Sequence, residues 1–196
     1  GALGRDRLGA QLLEELLAFL GRHLGDFFTL LGTEVAHHAA RLAGSILHGL
    51  VDLPAGRRLR VVVDAADAMA GLTAPAVLGP LDQVELIELH FGLDGTFPHH
   101  PADPLRPENL RDLQEAVRRE GADLGLAFDG DADRCVVLDE TGTPVPPSAI
   151  GALIASREIA RARAAGEERP RVAVNAVASR HVHEVIAATG GEMLLT

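Results

Sequence analysis

One cysteine, Cys135, stands alone in a chain of 196 residues. That excludes an internal disulfide and fits a reducing, cytoplasmic compartment. The thiol lies in an apolar run, so it is expected as a buried core residue rather than a nucleophile. No stretch reaches about 18 uninterrupted apolar residues, so no membrane-spanning helix is expected. The first residues lack a basic flank leading into a clean apolar core, which argues against a signal peptide. Aromatics make up only 3% of the chain, and no arginine-rich patch interleaves with them. With a net charge of −10, non-specific binding to nucleic acid is disfavoured. No Gly-x-Gly-x-x-Gly and no Gly-Lys-Ser/Thr segment is present, so nucleotide binding has no support. Internal repeats and low-complexity tracts are also missing.

What is present is a 47% hydrophobic chain, enough for one compact domain with appendages. Leu12, Leu13, Leu16, Leu17 and Leu20 form an amphipathic helical pattern over residues 10–20. Val35, Ala39, Leu42, Ile46 and Leu50 repeat it over 34–51, with Thr33 as a cap. Beyond residue 52, strands and helices alternate, which predicts a layered α/β domain. Strands are expected at 59–63, 84–89, 124–128, 135–138 and from 172. Helices are expected at 73–79 with Pro75 in the first turn, and at 107–120, 149–165 and 180–189. Residues 92–106 read as a Pro- and Gly-rich loop. Glu108 and Arg118-Arg119 match the dipole of the 107–120 helix. The expected organisation is a helical segment over 1–51, an α/β domain with a mixed sheet over 52–166, and the start of a further α/β unit over 167–196.

Chemistry concentrates at Asp129-Gly-Asp-Ala-Asp-Arg134. Alternate aspartates on a tight loop can converge on one point, and they repel one another unless a cation sits among them. Oxygen-only ligands suit Mg²⁺ or Ca²⁺. Arg134 cannot be a ligand, but its planar fork suits a phosphate. Metal plus arginine beside a phosphate suggests phosphoryl transfer. An EF-hand would accept Asp129, Asp131, Asp133 and Glu140, but it needs glycine where Arg134 stands, and helical rather than strand flanks. A solvated acidic loop is the plain alternative. Asp64 and Asp67 follow a strand and are expected to cap loop amides, with metal binding the lesser role. His181 and His183 would splay apart on a helix, and Arg180 is at most a phosphate contact.

Four segments carry a resemblance. Gly121–Arg134, Leu93-Asp-Gly-Thr-Phe-Pro-His-His100 with Asp103-Pro104, Val61–Gly71, and Pro144–Ser148 resemble, in order, stretches of the α-D-phosphohexomutases, the bacterial phosphomannomutase/phosphoglucomutase enzymes. The resemblance covers roughly 45–196 and implies the family's second domain and the start of its third. It implies that Asp129, Asp131 and Asp133 hold Mg²⁺, that Arg134 supports a phosphate, and that His99 and His100 lie near the substrate. The reaction it implies interconverts hexose 1- and 6-phosphates of mannose or glucose through a phosphoserine. No Thr-Ala-Ser-His-Asn-Pro type serine loop occurs in this sequence, so the chain is expected to be inactive alone. The family's usual Gly-Asn-Gly turn reads Ala66-Asp67-Ala68 here, which predicts a rebuilt or strained turn. The competing expectations are a non-catalytic divalent-cation or partner-docking module that self-associates through residues 10–20, and a truncated gene product without function.

Overall fold

A computed structural model describes residues 36–45, His48 and 56–196. The 10–20 helix, its proposed docking face and the Thr33 cap lie outside the described residues. The chain divides into two compact units, Gly1–Pro144 and Val145–Thr196.

In the first unit, residues 36–45 are helical (α1). They are followed by β1 (Leu59–Asp64), α2 (Ala70–Leu78), β2 (Val84–Leu89), a 3-10 turn (Pro107–Leu110), α3 (Arg111–Glu120), β3 (Leu124–Phe128) and β4 (Cys135–Leu138). The sheet order is β2-β1-β3-β4. β1 pairs in parallel with both β2 and β3, while β3 and β4 form an antiparallel hairpin. The mixed sheet of an α/β fold is therefore as the sequence predicts.

β1 reads Leu-Arg-Val-Val-Val-Asp, and its alternation assigns each valine to one face of the sheet. Val61 and Val63 pack with Ala74 of α2, joined by Leu86, Leu124, Leu126 and Phe128. Val62 packs on the other face with Leu113, Ala116 and Val117 of α3, Ala127 of β3 and Leu138 of β4. A helix thus covers each face, which is what the near-continuous apolar β1 requires. α3 has Asp112 in its first turn and Arg118 and Arg119 in its last, a distribution that complements the helix dipole. Gly121 ends it with φ 57°, in the left-handed region that glycine enters without a Cβ penalty.

Three sequence expectations are corrected. Leu42 is 59% exposed. The buried stripe of α1 is Ala36 and Ala40, packed on Leu72, Met69 and Ala76, because two helices approach this closely only through small side chains. Pro75 lies inside α2, not in its first turn. The helix begins earlier, at Ala70, where the chain turns away from the sheet. Cys135 is exposed at the start of β4, since its alternation partner on the covered face is Val136, which packs against the α3 core.

The second unit holds α4 (Pro147–Ala164), β5 (Arg171–Val174), α5 (Arg180–Ala188) and β6 (Glu192–Leu195). β5 and β6 pair in parallel. Ala152, Ala155 and Ile159 of α4 form one core with Val174, Val182 and Ile186. The long helix that the sequence reading placed at the end of the metal-binding domain thus packs with β5 and α5. A two-stranded sheet buries little on its far side, and Leu194 and Leu195 remain exposed. Among the described residues no helix is long and apolar enough to cross a membrane.

Candidate metal centre

Parallel strands collect functional groups at their carboxyl ends, most of all where successive connections leave in opposite directions. Here β1 connects toward β2 and β3 toward β4 on the other side. Asp64 ends β1, His90 follows β2 and Asp129 follows β3. The candidate site grows from these ends.

The loop 129–134 joins the hairpin partners Phe128 and Cys135. It is closed by Asp129 N donating to the Arg134 carbonyl at 3.3 Å and Ala132 N to the Asp129 carbonyl at 3.2 Å. Ala132 adopts φ 61°. So tight a turn brings one carboxylate oxygen from each of Asp129, Asp131 and Asp133 within 4.8 Å of the others. Asp129 is buried and the other two are exposed. Partial desolvation of its exposed carboxylate, and then the charges of Asp131 and Asp129, raise the pKa of Asp133 above the ordinary carboxylate value; Arg134 opposes this only in part. A cation among the three would relieve that repulsion. The donor set is entirely oxygen, which fits a hard ion such as Mg²⁺. The flanking strands and Arg134 rule out the EF-hand alternative.

Arg134 grips the buried aspartate. Its Nε donates to Asp129 Oδ2 at 2.6 Å and its backbone N to Asp129 Oδ1 at 3.1 Å. Its Nη1 lies 3.7 Å from Asp103 Oδ1 on the 92–106 loop. The remaining guanidinium N–H groups suit an anionic ligand. A further tie runs from Met69 N to the Gly130 carbonyl at 3.3 Å, linking the turn before α2 to the metal loop.

His99 and His100 are gathered elsewhere on the same edge. His99 Nδ1 lies 2.6 Å from Asp67 Oδ2, and His100 Nε2 lies 2.9 Å from Asp64 Oδ2. Burial disfavours the charge on His100, yet the Pro101 carbonyl and the Asp64 carboxylate outweigh it and raise its pKa. Asp64 also caps the turn, accepting from Ala66 N at 2.9 Å, the loop-amide role expected for it. The sequence reading missed His90, whose ring stacks on His99 with centroids 4.1 Å apart. Its only signal was its place directly after a strand. Although the Cys135 residue is exposed, its sulfur is desolvated, and this with the Asp129 charge pushes the thiol pKa up to about 11, away from the thiolate a nucleophile needs.

Comparison with known proteins agrees with this architecture. The family model for phosphoglucomutase/phosphomannomutase, alpha/beta/alpha domain II, matches residues 44–142. The phosphomannomutase/phosphoglucomutase of Pseudomonas aeruginosa is 43% identical over 110 residues, 56% of this chain and 24% of that protein. A probable phosphoglucosamine mutase of Methanopyrus kandleri is 40% identical over 141 residues, 72% of this chain and 30% of that one. The crystal structure of a phosphoglucomutase/phosphomannomutase family protein from Burkholderia thailandensis superposes with a TM-score of 0.69 at 30% identity, over 82% of this chain and 32% of that one. The chain thus spans about a quarter to a third of the length of these relatives. With half of its residues matched by the domain model and the same fold in a solved relative, the chain belongs to the phosphoglucomutase/phosphomannomutase family.

Proposed function

We propose that this chain is the metal-holding part of a hexose-phosphate mutase, an isomerase that interconverts the 1- and 6-phosphates of mannose or glucose. The observation that carries the reading is the convergence of Asp129, Asp131 and Asp133 beside Arg134 at the carboxyl edge of the sheet. Mg²⁺ held by the three aspartates would supply a positive charge that stabilises a phosphoryl group in transfer. Arg134, oriented by Asp129 and Asp103, would bind the phosphate oxygens and keep them in line. The buried Asp129 anchors both, since one side chain serves the metal loop and the arginine. Turnover in this family is taken to require a phosphoserine, and the sequence contains no loop of that kind, so the isolated chain should not turn over. A cytoplasmic location belongs to the same proposal, supported by the lone cysteine and the proposed sugar-phosphate substrate.

The test is thermal unfolding of the 196-residue chain with and without millimolar Mg²⁺, beside Asp131→Asn. A ligand that binds only the folded state raises the midpoint, by about 1.4 kcal/mol at ten times its Kd. The expected result is a Mg²⁺-dependent rise in the native chain that Asp131→Asn abolishes. An unchanged midpoint in both would sink the metal-holding role. Conversion of mannose 1-phosphate above the Asp131→Asn control would overturn the proposed inactivity.

A further inference from the structure

A second group of donor atoms sits apart from the Asp129 loop. The carboxylate of Asp64 is 1% exposed and carries an imidazole at each oxygen. His90 Nδ1 lies 3.2 Å from Oδ1, and His100 Nε2 lies 2.9 Å from Oδ2. One donor atom from each of the three residues lies within 4.8 Å of the other two. We propose that Asp64, His90 and His100 form a second metal site, for a divalent ion of the zinc class.

The outer nitrogens carry the argument. His100 Nδ1 lies 2.9 Å from the Pro101 carbonyl, and His90 Nε2 lies 3.5 Å from Asp112 Oδ2. A metal-bound histidine almost always hands its other N–H to a carbonyl or a carboxylate. His100 has such a partner, whereas His90 Nε2 approaches Asp112 at ion-pair distance only. The Pro101 carbonyl can only accept, so it holds the His100 N–H on Nδ1 and turns the Nε2 lone pair on the buried Asp64 carboxylate. Two acceptors so placed repel unless a cation sits between them. The competing occupant is a proton on each ring, and the experiment separates the two.

Spacing and ligand type agree. With bonds of about 2.0–2.1 Å in a tetrahedral site, neighbouring ligand atoms stand about 3.3 Å apart. The two nitrogen-to-carboxylate separations, 3.2 and 2.9 Å, lie near that value. Two imidazoles and a carboxylate select Zn²⁺ or Co²⁺, whereas the all-oxygen Asp129 loop selects Mg²⁺. The three ligands come from the end of β1, the residue after β2 and the 92–106 loop. That loop has no regular secondary structure. A metal there would staple it to the sheet, and the same loop presents Asp103 to Arg134.

The experiment loads the chelator-treated 196-residue chain with Co²⁺ and reads its visible absorption, in the native chain, Asp131→Asn and His100→Gln. Expected is the intense band of tetrahedral nitrogen-bound cobalt in the native chain and in Asp131→Asn, lost in His100→Gln. A native spectrum with only the weak bands of octahedral oxygen ligation overturns the proposal, and so does loss of the intense band in Asp131→Asn. Should His100→Gln fail to fold, X-ray absorption on Zn²⁺-loaded Asp131→Asn decides. Imidazole scattering supports the site, and an oxygen-only shell or no stoichiometric zinc overturns it. Failure of the Mg²⁺ loop would leave this outcome untouched, because Asp131→Asn already lacks it.

Discussion

Ala66 and Asp67 adopt φ 49° and 56°, a left-handed pair in the turn where glycine is the usual residue of the family. An alanine there is strained by roughly 1–2 kcal/mol. Ala66→Gly removes the strain but loses a buried methyl, about 0.8 kcal/mol, and adds chain entropy of about 0.5–1 kcal/mol. The terms nearly cancel, so Ala66→Gly should change stability by less than about 1 kcal/mol. Ala65→Gly next to it, also buried but with no positive φ, should lose about 1.5 kcal/mol. Chemical denaturation of both variants tests this, and equal losses would show that the turn is unstrained. Asp123 gives a residue-scale prediction in pH. The Arg57 side chain and the Arg60 amide donate to its carboxylate and lower its pKa to about 2. A depressed carboxylate contributes stability above its ordinary value that is lost as pH falls toward the folded one. The midpoint gap between the native chain and Asp123→Asn should therefore hold from neutral pH down to about 5 and narrow below about 4. A gap independent of pH across that range would remove the ion pair from the account. Much of this scale was legible beforehand. The alternating aspartates were expected to converge, and the loop brings one oxygen of each within 4.8 Å of the others. His90 and Asp112 did not, because a single histidine after a strand has no pattern until the fold brings Asp64 and His100 to it.

Gly125 decides how α3 lies on the sheet. A Cβ there would come 2.7 Å from Val117 Cγ2 and 3.1 Å from Leu113 Cδ1, both fully buried on the face of α3 that covers β3. Over-packing of this kind typically costs about 1–3 kcal/mol. Gly125→Ala should destabilise by that amount. Val117→Ala makes a cavity and costs stability alone, yet it removes the methyl that a new Cβ would strike. The double variant should be more stable than the sum of the single losses predicts, by about 0.5 kcal/mol or more. Strict additivity in a denaturation cycle would mean that the helix shifts away instead. The elements themselves were readable where periodicity was clean. β2, β3 and β4 fall at the residues expected, because alternation and turn signals bound them. Helix α1 was placed by its large residues, whereas its buried stripe is alanine. Hydrophobicity alone ranks Leu42 above Ala40, but the close approach to α2 admits only small side chains. The packing of α4 with β5 and α5 was not legible, since a helix with small apolar residues on several faces does not declare its neighbour.

The whole molecule carries a net charge of −10, which repels the anionic sugar phosphates proposed as substrate and attracts the cations proposed as ligands. The two effects differ in range. The Asp129 loop acts on an ion within a few ångströms, where salt screens little, while the remaining carboxylates act over distances comparable with the Debye length. That length falls from about 30 Å at 0.01 M salt to about 8 Å at 0.15 M. If the overall field assists the loop, the Mg²⁺-induced rise in melting midpoint should shrink between those two salt concentrations at fixed Mg²⁺. Neutral sucrose added in place of salt should leave it unchanged. A rise indifferent to salt would assign all of the binding to Asp129, Asp131 and Asp133 acting locally.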